Sequence, residues 1–176
     1  MRIQKADSDA FARRLPEVIR LYAAEYRLSP EAAREREEIM RRHLGRRRFA
    51  TYLALEGAEL AGFAYGYAGG PGEYWYDLVY QAMPPAMRAE WLAEHFEFVE
   101  LLVAPAYRGR GLGGELHDRL LKDRPEPLAL LTVRAGNAPA LRLYRKRGWQ
   151  VLLDDFRFSP GGERFYVMGK RLRGER

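Results

Sequence analysis

A glycine-rich turn contains the residues of this sequence that are best suited to bind a ligand. It comprises Arg108, Gly109, Arg110, Gly111, Leu112, Gly113 and Gly114. A helical apolar pattern begins at Leu112, so the glycines lie at a predicted helix N-terminus, where backbone N–H groups lack acceptors and the helix dipole favours negative charge. Glycines let an anion approach these amides, and the two arginines add charged donors. The segment therefore predicts a phosphate-binding site.

Two alternatives for the same turn stay open. The first is a dinucleotide-binding site, because Gly109-x-Gly111-x-x-Gly114 has the spacing of that fingerprint. The fingerprint should follow its strand directly, whereas here Pro105 to Arg108 lie between the strand and the glycines. An acidic residue should follow the next strand, but that strand ends at Val133-Arg134 without one. The second alternative is a tight turn with arginines in solvent. Since the sequence has no Gly-Lys-Ser/Thr, a P-loop is excluded.

Two glutamates interrupt the apolar strand that precedes this turn. The segment reads Phe-Glu-Phe-Val-Glu-Leu-Leu-Val from Phe96 to Val103, which places Glu97 and Glu100 in a strand typical of a sheet interior. A carboxylate there is costly unless it is paired or used in chemistry, so we expect at least one of the two to be paired with an arginine. Regular alternation would place them on opposite faces, but a β-bulge would change that assignment.

The elements that must position these groups are predicted from periodicity and capping residues. Alternation and short apolar runs predict strands over 2–6, 49–56, 59–68, 96–103, 128–133, 149–156 and 164–171. Helical spacing and N-caps predict helices that begin at Asp7, Ser29, Leu112 and Asn137. The aromatic, proline-containing segment 70–95, with a helix over 86–94, is interpreted as an insertion on the surface. This order predicts an α/β fold with a mixed sheet.

Length and composition predict one soluble domain, residues 1–176, without metal or nucleic acid. The net charge is +6, but acidic residues are interleaved with the basic ones nearly everywhere, which is typical of solvated helix faces. The chain has no cysteine and three dispersed histidines, so we expect no metal site. It shows neither a signal peptide nor an apolar run near 20 residues, so we expect a cytoplasmic protein with no membrane span.

Longer motifs surround the glycine-rich turn. One is Arg108-x-x-Gly111-x-Gly113, preceded by Leu101-x-Val103-x-Pro105-x-Tyr107. Another is Asn137-Ala138-x-Ala140-x-x-Leu143-Tyr144-x-x-x-Gly148-Trp149. They resemble the pyrophosphate motif and the C-terminal signature of the GNAT superfamily, the acetyl-CoA-dependent N-acyltransferases, and Glu97-Phe98-x-x-Leu101 resembles the start of that family's fourth strand. The resemblance covers about residues 96–150. It implies a mostly antiparallel, twisted sheet of about seven strands flanked by helices.

The resemblance also implies where acetyl-CoA binds. In the family the cofactor lies between the fourth and fifth strands, and its pantetheine arm pairs with the fourth strand's backbone, which here corresponds to Leu101, Leu102 and Val103. The pyrophosphate lies on the amides of residues 108–114. Asn137 corresponds to a residue that contacts the cofactor or fixes the end of the fifth strand. A simple helix N-cap is the alternative for Asn137.

Acyl transfer to an amine requires that the ammonium lose a proton and that the oxyanion and the leaving thiolate be stabilised. By resemblance, Tyr144 corresponds to a tyrosine that often protonates the thiolate, and a buried helix residue is the alternative. Glu97 corresponds to a catalytic glutamate of some members, and Glu100 lies in the same strand. Both glutamates are therefore candidate bases, and many members use a water chain instead.

The predicted function is an N-acetyltransferase that moves an acetyl group from acetyl-CoA to a primary amine of a small molecule or a protein. Because the chain has no thiol to carry the acetyl group, we expect direct transfer. One alternative is a non-catalytic acyl-CoA sensor on the same fold, and another, suggested by the net charge of +6, is an arginine-rich nucleic-acid binder. Six aromatic residues are candidates for an acceptor pocket, a core or a homodimer contact: Tyr65, Tyr67, Tyr74, Trp75, Tyr76 and Tyr80. His117 carries no motif, and we expect it to face solvent or cap a helix.

Overall fold

The computed structural model describes residues 1–172 and contains seven strands and six α-helices within that range. The strands are β1 (Arg2–Ala6), β2 (Ala50–Glu56), β3 (Glu59–Ala68), β4 (His95–Val103), β5 (Leu128–Arg134), β6 (Gln150–Phe156) and β7 (Phe165–Arg171). The helices are α1 (Ser8–Tyr26), α2 (Pro30–His43), α3 (Tyr74–Ala82), α4 (Pro85–Trp91), α5 (Leu112–Leu121) and α6 (Ala138–Lys146). A 3-10 turn, Pro105–Tyr107, connects β4 to the glycine-rich turn.

The strands are hydrogen-bonded in the order β1-β2-β3-β4-β5-β7-β6. The pairs β1/β2, β2/β3, β5/β7 and β6/β7 are antiparallel, and β4 pairs with β5 in parallel. This arrangement confirms the mixed α/β fold that the sequence predicts. The chain divides into two compact units. Unit 1 is Met1–Tyr67 with Val99–Lys122, and unit 2 is Ala68–Phe98 with the chain from Asp123 onward.

Unit 1 contains the two N-terminal helices, and both begin as their capping residues predict. The Asp7 carboxylate accepts a hydrogen bond from the Ala10 N–H at 2.7 Å, and Ser29 caps α2 with Pro30 at its first position. The apolar face of α1 packs on β2 and β3, because its core residues repeat at helical spacing. The core of this unit is Ala6, Phe11, Leu15, Val18, Ile19, Met40, Leu53, Leu55, Leu60, Phe63, Tyr65 and Leu102.

A glycine in β3 lets the end of β4 and the helix α5 come close to that strand. A Cβ atom at Gly62 would lie 2.8 Å from the Leu102 carbonyl oxygen and 3.3 Å from a methyl group of Leu116. The Ala104 N–H donates to the Ala61 carbonyl at 2.9 Å, which fixes the point where β4 ends. The glycine-rich turn therefore begins from a rigid base within unit 1.

Unit 2 contains the 70–95 insertion, and here the sequence-based expectation is wrong. The segment does not lie on the surface as an excursion, because its residues, in α3, in α4 and directly after each of these helices, supply more than half of the buried core of this unit. That core is Tyr76, Val79, Met83, Trp91, Leu92, Leu128, Leu130, Phe156 and Val167. Burial of these side chains drives the insertion onto β5 and β7. Gly169 of β7 is essential to this contact, since a Cβ atom there would lie 2.6 Å from the Trp91 ring.

No helix in residues 1–172 combines the length and the apolar character needed to cross a bilayer. The longest, α1, has 19 residues but carries several charged side chains along its length. Its exposed face is polar, as expected for a helix that packs on a sheet with one side only.

Candidate functional site

The glycine-rich turn has the backbone geometry that an anion site requires. Gly109 and Gly111 have φ angles of +74° and +80°, a conformation that side chains other than glycine rarely adopt. The first hydrogen bond of α5 joins the Glu115 N–H to the Gly111 carbonyl at 3.1 Å. The N–H groups of residues 112–114 therefore have no acceptor within the helix. No side chain caps this helix, in contrast to α1 and α2.

The two arginines of the turn have different surroundings. Arg108 folds back on the turn: its Nε donates to the Val103 carbonyl at 2.9 Å, and its Nη2 forms an ion pair with Glu25 of α1 at 2.5 Å. Arg110 is exposed, and its guanidinium lies 5.9 Å from the centre of the Tyr107 ring. Arg108 thus braces the backbone between β4 and α5, whereas Arg110 is the arginine that extends into solvent.

Glu100 is a buried carboxylate with a cationic partner. Its Oε2 accepts from Arg36 Nη2 of α2 at 3.0 Å, and the Glu100 and Arg36 side chains are 10% and 24% exposed. This observation confirms that at least one of the two glutamates is paired with an arginine. Val99 and Leu102 both pack against the core of unit 1, although strict alternation would place residues three apart on opposite faces. The side chains of β4 therefore do not alternate regularly between the two faces of the sheet along the whole strand.

Arg36 belongs to a larger polar network in unit 1. Its guanidinium lies 4.5 Å above the Tyr22 ring. Burial is the largest single effect and lowers the pKa of Arg36, but Glu100, Tyr22 and Tyr65 together outweigh it, and the pKa of Arg36 lies above its ordinary value. His43 Nδ1 is hydrogen-bonded to the Tyr65 hydroxyl at 3.0 Å. Burial, together with the positive charges of Arg36, Arg46 and Arg42, lowers the pKa of His43 to about 4.

Glu97 lies in unit 2, at the point where the parallel ladder between β4 and β5 ends. Three residue pairs form this ladder, and the last is Glu97 with Leu130. The Glu97 side chain is buried, with 4% of its surface exposed. Residues 101–103, predicted to pair with the cofactor, lie further along β4 in unit 1, where Leu102 is buried and its two neighbours are half-buried. Their pairing with a ligand stays a prediction.

The first half of β4 presents two different faces within unit 2. The His95 ring stacks on Tyr76 of α3, with centroids 5.9 Å apart and an interplanar angle of 15°. Glu97 shares the parity of His95, so it points to the same side, which we call the insertion face. Phe98 points to the opposite side, where its ring contacts Tyr144 at 6.2 Å and Trp149 at 6.1 Å between centroids. We call that side the α6 face.

The two predicted residues of α6 both have well-defined structural contacts. Asn137 is the N-cap of this helix, and its side-chain oxygen accepts from the Ala140 N–H at 3.1 Å. Tyr144 is buried, and its ring packs edge-on against Trp149 with centroids 5.8 Å apart. These contacts fit the structural alternative for each residue and leave the role in cofactor binding or proton transfer as a prediction.

The remaining candidate residues differ in how much of their surface is exposed to solvent. Tyr65 and Tyr67 are buried in unit 1, whereas Tyr74 and Tyr80 of α3 are exposed. His117 is not a solvent-facing residue, contrary to the sequence-based expectation. Its side chain is 2% exposed because it lies on the buried side of α5, and its Nδ1 lies 2.7 Å from the Asp118 carboxylate. Among residues 1–172, no three His, Asp or Glu side chains are grouped so that they could hold a metal ion.

Sequence reasoning misses two residues that hold the predicted site residues in place. Glu25 reaches Arg108 across 83 positions of the chain, and Arg36 reaches Glu100 across 64. Both lie on highly charged helices, where one acidic or basic residue resembles its neighbours in the sequence. Only the helical register, which turns Arg36 toward β4, could have suggested its role.

Comparison with known proteins agrees with this arrangement. Residues 15–149 match the family model described as the acetyltransferase (GNAT) family. The chain belongs to this family. The match includes β4, the glycine-rich turn, β5 and α6, which are the elements that contain all the predicted site residues. The GNAT resemblance found in two sequence motifs is thereby confirmed over most of the chain.

Several known proteins resemble this GNAT chain. A GCN5-like protein acetyltransferase of Mycobacterium tuberculosis is 34% identical over 126 residues, which cover 67% of this chain and 61% of that protein. The structure of ribosomal-protein-S18-alanine N-acetyltransferase from Escherichia coli has a TM-score of 0.65 at 18% identity, covering 99% and 95% of the two chains. PaiA N-acetyltransferase of Thermoplasma acidophilum, solved with coenzyme A, has a TM-score of 0.61 at 16% identity, covering 97% and 99%. The two structures support the fold.

Proposed function

We propose that this protein is an N-acetyltransferase that transfers the acetyl group of acetyl-CoA directly to a primary amine. The observation that carries the proposal is the uncapped N-terminus of α5, where Gly109 and Gly111 adopt positive φ angles in a chain of the GNAT family. Backbone amides in this geometry suit the pyrophosphate of coenzyme A. The chain contains no cysteine, so no thiol of the protein can carry the acetyl group between two half-reactions.

In this proposal the cofactor is held by residues of β4, the glycine-rich turn and α6. The amides of residues 109–114 bind the pyrophosphate, and Arg110 adds a mobile charge because its side chain extends into solvent. Arg108 acts through its contacts with Val103 and Glu25, which fix the backbone of the turn. Leu101, Leu102 and Val103 offer backbone groups to the pantetheine arm, and Asn137 fixes the start of α6.

Glu97 is the preferred base in this proposal, because by resemblance it corresponds to a catalytic glutamate of some family members. Glu100 forms a buried ion pair with Arg36, which gives it a structural role in unit 1. An alkylammonium with a pKa near about 10 must lose its proton before the nitrogen can attack. Glu97 accepts this proton, directly or through water, and the neutral amine then attacks the thioester carbon.

The second proton transfer completes the reaction. Acetyl-CoA supplies an activated thioester, whose carbon–sulfur bond breaks as the acetyl group passes to nitrogen. Backbone N–H groups of β4 are the proposed donors to the oxyanion. The Tyr144 hydroxyl donates its proton to the departing thiolate, and the second N–H proton that the attacking nitrogen sheds to become an amide nitrogen returns through solvent to the Tyr144 oxygen. The Tyr144 ring is buried on the α6 face. The products are an amide and coenzyme A.

The acceptor is proposed as an amine of a protein or of a small molecule. The relative from Mycobacterium tuberculosis is a protein acetyltransferase, which supports a protein acceptor, although this chain spans only 61% of that protein. A cytoplasmic location and a homodimer stay predictions.

Two measurements test the proposal. Isothermal titration must show acetyl-CoA binding in the micromolar range, and a thiol reagent must detect coenzyme A release with a panel of primary amines. Glu97→Gln is expected to lower kcat by about 100-fold or more, and Tyr144→Phe by a similar factor, with acetyl-CoA affinity retained. Absence of binding at high micromolar acetyl-CoA refutes the proposal. Binding without thiol release from any amine, and with normal affinity in Tyr144→Phe, identifies a non-catalytic sensor instead.

A further inference from the structure

Helix α3 contacts both central strands of unit 2 through one side chain, Trp75. Its indole Nε1 donates to the Thr132 hydroxyl of β5 at 3.3 Å. On the other side, its ring centre lies 6.4 Å from that of His95 in β4. Trp75 is half-buried, so part of the ring faces solvent, and the preceding Tyr74 is 69% exposed. This helix belongs to the 70–95 insertion rather than to the motifs that identify the family.

These contacts place Trp75 on the same face of the sheet as Glu97. Paired residues of adjacent strands point to the same side, so Leu130 and its partner Glu97 share a face. Thr132 lies two residues beyond Leu130 and therefore shares that face as well. His95 reaches it from β4, two residues before Glu97. The insertion face thus carries both Trp75 and the buried Glu97, and Trp75 contacts His95 and Thr132 of the two strands that form the parallel ladder.

We propose that α3 forms the acceptor side of the active site and that Trp75 determines which amines reach Glu97. This inference rests on the proposed acetyltransferase function with Glu97 as base. Tyr144, the proposed donor to the thiolate, packs on Phe98 on the opposite α6 face, so the acceptor and the thiolate-protonating group lie on different sides of the strand. An amine that delivers its proton to Glu97 must approach on the insertion face, where Trp75 is a half-exposed aromatic residue that contacts both β4 and β5.

The chemistry of this face favours a cationic alkylamine. An aromatic ring attracts an ammonium group through its negative face, most strongly when the ring is that of tryptophan. Residues 70–94 contain four acidic side chains and one arginine, a formal charge of −3, although the whole chain carries +6. Glu90 of this segment is ion-paired with Arg171 of β7, so the excess without that pair is −2, and this excess favours cations near α3. A lysine-type side chain, with an aliphatic stem and a terminal ammonium, fits both features, and a free diamine shares the same chemistry.

The test compares steady-state constants of Trp75 variants with those of the unmodified protein. Trp75→Ala is expected to raise the acceptor KM by about 10-fold, with the acetyl-CoA KM unchanged within about 2-fold. Trp75→Phe keeps a ring and is expected to raise the acceptor KM by about 3-fold. Thr132→Val removes the hydrogen bond that orients the indole, with little change in volume, and is expected to act in the same direction. Gln81→Ala is the control, since Gln81 is an exposed residue of the same helix outside the aromatic cluster.

Three acceptor compounds are tested to identify the substrate class. A lysine peptide flanked by basic residues, the same peptide flanked by acidic residues, and a free diamine are compared at low and high salt. The basic peptide should give the lowest KM, and that advantage should shrink as salt rises. If the diamine is preferred, the acceptor is a small cation of the same class.

The outcomes separate this inference from the proposed function. If the unmodified protein releases coenzyme A but Trp75→Ala and Thr132→Val leave the acceptor KM unchanged, the acceptor assignment is wrong while the function stands. The same conclusion follows if these variants raise the acetyl-CoA KM equally, or if Gln81→Ala raises the acceptor KM as much as Trp75→Ala does. If the unmodified protein neither binds acetyl-CoA nor releases thiol, both the function and the inference fail.

Discussion

The buried ion pair between Arg36 and Glu100 allows a quantitative prediction about the division of roles between the two glutamates of β4. We expect Arg36→Met and Glu100→Gln to destabilise the fold, because each change leaves the remaining partner buried without its counter-charge. The double variant, in which both charges are absent, should recover part of the loss. Glu97→Gln, in contrast, should affect turnover more than stability.

The expected magnitude follows from the geometry. Two unit charges about 4 Å apart attract by about 4 kcal/mol at an effective dielectric constant of about 20. Removing one partner of a fully buried pair costs about 3–5 kcal/mol. Since the Arg36 side chain is 24% exposed, water relieves part of this cost, and we expect about 2–3 kcal/mol for each single variant. For a chain of this length that corresponds to a fall in Tm of about 5–10 °C.

Urea unfolding followed by circular dichroism, together with kcat/KM for the same variants, measures both effects. Glu31→Gln is the matched control, because Glu31 also pairs with an arginine of α2, Arg34 at 3.3 Å, but both side chains are about 70% exposed. Such a pair contributes below about 1 kcal/mol. The reasoning is refuted if Arg36→Met and Glu100→Gln are additive in stability. It is equally refuted if Glu100→Gln abolishes turnover while stability is unchanged, because Glu100 would then be the base.

Two further predictions concern the glycine-rich turn and the network around His43. Gly111→Ala should weaken acetyl-CoA binding by about 10-fold in titration, since a Cβ at φ +80° strains the amides that face the anion. The neutral form of His43 is favoured in the fold, so its contribution to stability is complete above pH 6.5 and is lost as the pH falls toward 4. His43→Asn should therefore remove about 2–3 kcal/mol of pH dependence in urea unfolding between pH 6.5 and 4.

Each of these two predictions has a control and a contrary result. Gly161 has a φ of +71° in the turn between β6 and β7, so Gly161→Ala imposes a similar strain far along the sequence from the anion motif. Equal losses of affinity in both glycine variants would contradict the role of the turn. For His43, the difference in unfolding free energy between the unmodified protein and His43→Asn should change with pH. A constant difference from pH 7 to 4 would contradict the assignment.

Periodicity and capping predict most of the elements, because local signals fix them. The Ser29-Pro30 pair and the Asn137 cap begin α2 and α6 where the sequence indicates. Helix α3 is not among the predicted elements, although Tyr76, Val79 and Met83 repeat at three- and four-residue spacing. A run of aromatic residues after four residues rich in glycine hides this pattern. The burial of the insertion could not be predicted, since it depends on Gly169 in a strand far along the chain.

The candidate site is predictable where a motif is contiguous and not where it depends on distant pairing. The positive φ angles of Gly109 and Gly111 agree with the anion turn that the glycines indicate. The partner of Glu100 could not be predicted, because α2 has four arginines and the sequence alone does not show which of them contacts β4. The expectation for His117 is wrong because its place on the buried side of α5 depends on how that helix packs, which one polar residue in the sequence does not reveal.

The alternation of the first half of β4 has a consequence for how this family member can diversify. His95 and Glu97 face the insertion, whereas Phe98 packs on Tyr144 and Trp149. Under the proposed acceptor role of α3, substitutions on the insertion face and in α3 are expected to change the choice of acceptor while the packing around Tyr144 is preserved. Evolution or laboratory selection could then vary one side of a single strand while the other stays constant. A library confined to positions 74 and 75 is expected to test new amines without altering the elements that define the family.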